Sequence, residues 1–115
     1  MKPYKYGEYT KEQISSIKKY LQKQIFFLLL IVDPKTKNEY ENINVAEAIR
    51  SVLFEIGGFN SCLNYPAEVV RINDLIEAAL NEYLSPDFCT DDFKHCAYRK
   101  LILDAGAKVN EIKEV

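Results

Sequence analysis

Eight consecutive apolar residues, Ile25-Phe26-Phe27-Leu28-Leu29-Leu30-Ile31-Val32, constrain this chain more than any other feature. A run of this kind has to be covered on nearly every side, yet it falls short of the 18 or more apolar residues that mark a transmembrane helix. It also continues in phase with Ile14, Ile17 and Leu21, spaced at three or four residues, which is the period of one helix face. The spacing predicts one helix over 11–32, roughly 33 Å long at 1.5 Å per residue. Thr10 and Gln13 form a capping box at its start, and Asp33-Pro34 stops it. Lys11, Ser15, Lys18 and Gln22 fall on the opposite face. Reading 25–32 as a buried strand would require a partner, and no second apolar run of that length exists.

About eleven polar residues, Asp33 to Ile43, then read as an exposed loop. Asn44, with Glu47 three residues on, opens a second helix over 45–64. Its apolar face comprises Ile49, Val52, Leu53 and Ile56, resuming at Phe59, Cys62 and Leu63 beyond Gly57-Gly58. Two glycines inside a helix cost about 2 kcal/mol. They therefore imply a kink, a helix end or the close approach of another backbone. Pro66 suits the first turn of a third helix over 66–84, with Val69, Ile72, Ile76, Ala79 and Tyr83 inward, widened by Val70, Leu75 and Leu80. A fourth, over 91–105, starts on Asp91 and Asp92, acids that favour the positive helix start. It turns Phe93, Cys96, Ala97, Leu101 and Leu103 inward, with Gly106 as its end signal. The stretch from Arg99 to Asn110 resembles the end of the second helix of an ankyrin repeat, over about twelve residues. Such arrays repeat at about 33 residues and no second copy is present, so the resemblance implies a shared helix ending and no function.

The expected fold is all-α, a bundle of four main helices in one domain over 1–115, with helix 1 central. A tyrosine-rich arm, 1–9, precedes it and a short tail, 107–115, follows. The length suits one domain. With 48% apolar residues and a net charge of −2, wholesale disorder is excluded. The first six residues lack the apolar core of a signal peptide. Three cysteines, Cys62, Cys89 and Cys96, are an odd and sparse set, which reads as reduced, packed thiols in a cytoplasmic protein. The ratio of 12 lysines to 3 arginines fits an AT-rich coding sequence, as in a low-GC bacterium or a mobile element.

Catalytic and metal-binding patterns are absent. The single histidine, His95, sits beside Cys96, and Cys89 and Cys96 stand seven residues apart with no C-x₂-C pair, so zinc spacing is missing. Neighbouring helical side chains diverge, so His95 cannot serve Cys96 as a base. Asp92-x-x-His95 lacks the glutamates of a di-iron site. Glu47, Glu55, Glu68, Glu77 and Glu82 read as solvated faces. No phosphate-cradling glycine loop or nucleophile elbow occurs. No enzyme activity and no cofactor are expected.

What remains is surface. Residues 1–40 carry eight lysines against four acids, for +4, and residues 41–115 carry seven Lys/Arg against thirteen acids, for −6. Helix 1 is apolar around its whole circumference, so either it is the hub of the bundle or part of it faces another protein. The expected function is protein–protein contact, as an adaptor, regulator or inhibitor, with self-association its simplest form and no membrane partner. Aromatic side chains are favoured at interface cores, making Tyr4, Tyr6, Tyr9, Tyr20, Phe26 and Phe27 the candidate anchors. The alternative is a nucleic-acid-associated regulator that uses Lys2, Lys5, Lys11, Lys18, Lys19 and Lys23 on phosphates. Its weakness is an acidic pI of about 5.4 and no arginine in that segment. Leu28→Asp is expected to unfold the domain, since an unpaired charge in a core costs several kcal/mol out of a total of roughly 5–15. A melt by circular dichroism checks this, and a soluble variant with unchanged Tm would refute it.

Overall fold

The computed structural model describes residues 9–88 and 92–112. Four α-helices follow in order: α1 (Lys11–Leu30), α2 (Val45–Leu63), α3 (Ala67–Leu84) and α4 (Ala97–Val109). Short 3₁₀ turns cover Lys37–Tyr40 and Phe93–His95, and no strand occurs among the described residues. The all-α bundle is the expected one. Among the described residues, no helix is long and apolar enough to cross a membrane.

α1 packs most extensively on α4 and to a lesser extent on α2, while α3 packs on α4 and on α2. The four helices thus form a ring with α1 and α3 on the diagonal. The most extensive contact joins α3 to α4, which gives no support to α1 as the hub; it forms one wall. Its core face is Ile14, Leu21, Ile25, Leu28 and Leu29, with Ile31 and Val32 buried just beyond its end.

Each carbonyl in the last turn of α1 has a partner. The N–H of Ile31 donates to Phe27 O. Val32 then shifts to a 3₁₀-type bond on Leu29 O, which Asp33 also joins. This leaves the carbonyls of Leu28 and Leu30 outside the ladder, as helix ends do. The Tyr98 hydroxyl, from α4, donates to Leu28 O at 2.6 Å, and the Thr36 hydroxyl donates to Leu30 O at 2.6 Å. α1 therefore ends two residues before the expected Val32, at the point where side chains take over from its own backbone. The segment after it is less open than expected. Asp33 accepts the Lys35 N–H, Tyr40 lies edge-on to Phe27, and Ile43 packs against the core.

The start signals of α1 and α2 are realised as hydrogen bonds. Thr10 and Gln13 close a reciprocal capping box, and Asn44 Oδ1 accepts from Glu47 N. Pro66 stands just outside α3 as its N-cap. α2 runs unbroken through Gly57-Gly58. Both glycines face solvent, and a Cβ on either would meet nothing within 4 Å. The helix thus continues through the pair as its apolar period predicts, and no close contact accounts for the glycines. Asn60, which apolar spacing passes over, is buried on the core face of α2.

α4 departs furthest from expectation. It begins at Ala97, after Cys96 in extended geometry, and passes through Gly106 to Val109. Its buried stripe is Tyr98, Ile102, Ala105 and Val109. The inward set expected from Phe93, Cys96, Ala97, Leu101 and Leu103 carried the phase of Phe93 into α4. The 3₁₀ turn and the extended Cys96 break that phase, so Ala97 and Leu103 face solvent. Tyr98 is fully buried and packs with Tyr83 and Phe88 at centroid distances of 6.3 and 6.0 Å. Burial pushes its phenol well above the ordinary tyrosine range.

Tyr98→Phe keeps the ring and strands the buried Leu28 carbonyl, which is expected to cost about 1–3 kcal/mol. Denaturant unfolding measures it. Gly57→Ala and Gly58→Ala, filling open space on a helix, are each expected to add roughly 0.5–1 kcal/mol. Loss of stability in either would show that the glycine conformation is required.

Candidate interaction surface

The aromatic residues picked out as anchors separate into different environments. Tyr4, Tyr6, Lys2 and Lys5 lie outside the described residues. Tyr9 is partly covered and packs against the core. Phe27 is also partly covered, held against Tyr40 at 5.5 Å with the rings at 89°. It closes the core rather than offering a free anchor. Tyr20 is more open, but it is tied to α2. Its hydroxyl donates to the Glu55 carboxylate and its ring meets Phe59 edge-on at 6.1 Å. The hydrogen bond to Glu55 raises the Tyr20 phenol above its ordinary range. Of the described candidates only Phe26 is more than half exposed, at 56%. Phe54 on α2 and Tyr65, which the apolar spacing did not single out, are more exposed still, but neither lines the apolar groove between α1 and α4.

Phe26 stands on the seam between α1 and α4. There Ile25, Phe26 and Leu29 of α1 and Ile102 and Leu103 of α4 line a groove of about 200 Å³, together with Gln22, Gly106 and Asn110. Leu103, 41% exposed, is the opposite lip. A cavity of about 150 Å³ suffices to hold a benzene ring. Leu103 escaped the sequence reading because the phase of α4 was set from the wrong residue. Once the stripe starts at Tyr98, Leu103 falls on the outer face.

Cations flank both lips. Lys19 and Lys23 precede Phe26 by seven and three residues, and Arg99 and Lys100 precede Leu103 by four and three. These spacings share a helix face. Lys19, Lys23 and Lys100 are exposed, and none of the three has an ion pair among the described residues. Lys18 has a different role. Its ammonium donates to the carbonyls of Asn110 and Ile112, while the Gln22 amide donates to Gly106 O and Asn110 Oδ1. The pair closes the end of α4, where a cation also favours the helix dipole.

Charge divides in space more sharply than along the chain. α1 carries four lysines against Glu12, and α4 carries Arg99, Lys100 and Lys108 against Asp104, so these two adjoining helices hold +5. α2 holds −1 and α3 −3, together −4. The fold places the basic α4, drawn from the acidic part of the chain, beside α1. At one end of the basic half, an open cleft of about 810 Å³ gathers Lys35, Lys37, Lys94 and Arg99. Asp33 and Asp92 also line it, each engaged locally: Asp33 with the Lys35 N–H and Asp92 with His95.

His95 Nδ1 lies 2.9 Å from Asp92 Oδ2, with both side chains more than two-thirds exposed. Cys62 and Cys96 are free, partly covered thiols, and Cys89 lies outside the described residues. Among the described residues, no three of His, Cys, Asp and Glu come together as metal ligands would. Compared with protein-family models, curated proteins and solved structures, the chain matches none.

Proposed function

We propose that this chain is a non-enzymatic protein of the cytoplasm that works through protein–protein contact. It acts as an adaptor, regulator or inhibitor, and the α1–α4 seam is its contact surface. The observation that carries the reading is Phe26: a large ring more than half exposed, beside Leu103, over an apolar groove. A surface of this kind loses water-exposed apolar area only when something covers it, at about 25 cal/mol per Å². Aromatic anchors at the centre of a patch with charges around the rim match the usual anatomy of an interface.

One observation favours a second reading, association with nucleic acid. The basic half of the bundle and the cleft of Lys35, Lys37, Lys94 and Arg99 would suit phosphates. The cleft lies beyond the C-terminal end of α1, separate from Lys11, Lys19 and Lys23 along the helix, while Lys18 is engaged with the end of α4. Binding that weakens steeply with salt, and that survives loss of Phe26, would favour it.

Phe26→Asp tests the first reading. As a surface substitution it is expected to change unfolding free energy by about 1 kcal/mol or less. Wild-type and variant proteins serve as paired baits in affinity capture, with retained proteins identified by mass spectrometry. A protein held by wild type and lost from Phe26→Asp is the expected result. A specific partner held equally by both would remove the seam from the reading.

A further inference from the structure

The basic, apolar groove on α1–α4 has its complement on the same molecule. The outer face of α3 presents Val70, Asp74, Glu77, Asn81 and Leu84, all exposed. They stand at intervals of four and three residues, so they form one continuous stripe along the helix. Its ends are apolar, with Val70 37% and Leu84 53% exposed, and its centre is acidic. Neither Asp74 nor Glu77 has an ion pair among the described residues. α3 bears the largest negative charge of the four helices, even with Arg71 counted. α3 also lies diagonally across the bundle from α1, so its outer face cannot fold onto the groove of its own chain.

From this complementarity we infer that the α3 stripe of one copy docks along the α1–α4 groove of a second copy, head to tail. The inference deepens the protein-contact reading and rests on it. With Leu84 seated on Phe26 and Leu103, Glu77 stands seven residues before Leu84 on α3, as Lys19 stands seven residues before Phe26 on α1. The acids of the stripe then meet the lysines at one end of the groove. An amphipathic helix laid in an apolar groove is a common recognition mode. The two surfaces are different, so the contact is heterologous: each copy keeps one free stripe and one free groove. Repetition gives a ring if the rotation closes and an open chain if it does not. A two-fold dimer would instead bury the same patch twice. Opposed charges at the rim speed encounter and are screened by salt, so assembly is expected to weaken as ionic strength rises.

Two surface variants decide the question. Asp74→Lys with Glu77→Lys spoils the stripe and leaves the groove; Phe26→Asp spoils the groove and leaves the stripe. Circular dichroism melts establish that both are folded, and sedimentation velocity at high micromolar concentration and low salt reads assembly. Wild type is expected to form species beyond the monomer that dissociate with added salt. Each variant alone is expected to be monomeric. An equimolar mixture is expected to give a 1:1 dimer and nothing larger, because it contains one intact stripe and one intact groove. A strictly monomeric wild type overturns the inference, while the paired captures above still judge the protein-contact reading. Wild-type assembly with no pairing in the mixture also overturns it, in favour of a symmetric contact, and leaves that reading standing.

Discussion

The hydroxyl of Tyr98 on the carbonyl of Leu28 is the contact on which the packing of this bundle turns. α1 ends inside the protein, and a buried helix end leaves carbonyls that water cannot reach. Tyr98 supplies the missing donor from a helix that begins 67 residues further along the chain. The same ring packs against the Tyr83–Phe88 pair, whose own rings meet at 5.0 Å, so one side chain ties together the end of α1, the phase of α4 and the segment after α3. At the opposite end of α4, Lys18 and Gln22 of α1 return the favour by closing its carbonyls. The α1–α4 pair is thereby pinned at both ends by polar contacts, and the seam between the pins remains apolar.

The helices were legible because their signals are local. A capping box needs only residues 10 and 13, and the period of α1 is written in its own apolar residues. The phase of α4 was not. Phe93 is buried in a 3₁₀ turn, and the extended Cys96 then resets the angle at which the next helix leaves. No spacing rule carries a face across such a break. α2 was legible through its glycines because Phe59, Cys62 and Leu63 resume its period, but what the glycines are for was not. A pair of glycines states that the backbone is free to bend or to be approached, but only the surroundings decide whether it does, and here they are open.

Legibility of the surface was mixed for physical reasons. Phe26 and Phe27 are adjacent in one apolar run, yet one faces out and the other packs on Tyr40. A continuous run has no polar residue of its own to mark its outward side; only its phase with the first half of α1, in which Phe26 follows Lys18 and Gln22, shows which ring faces out. The spatial division of charge was hidden as well. Counting along the chain places α4 with the acidic residues, whereas its side chains are net positive and its packing sets it beside α1. Charge patterning becomes informative about contact only after topology has sorted the helices into neighbours.

The dependence of α1 on α4 reaches into synthesis. Residues 25–32 are synthesised well before α4, the helix that covers most of that wall. Chains emerge at about 5–20 residues per second, so the apolar run waits several seconds for Tyr98 and Ile102. During that interval α1 can nucleate as a helix but cannot bury its most hydrophobic third. The exposed run is thus covered only once α4 has been made.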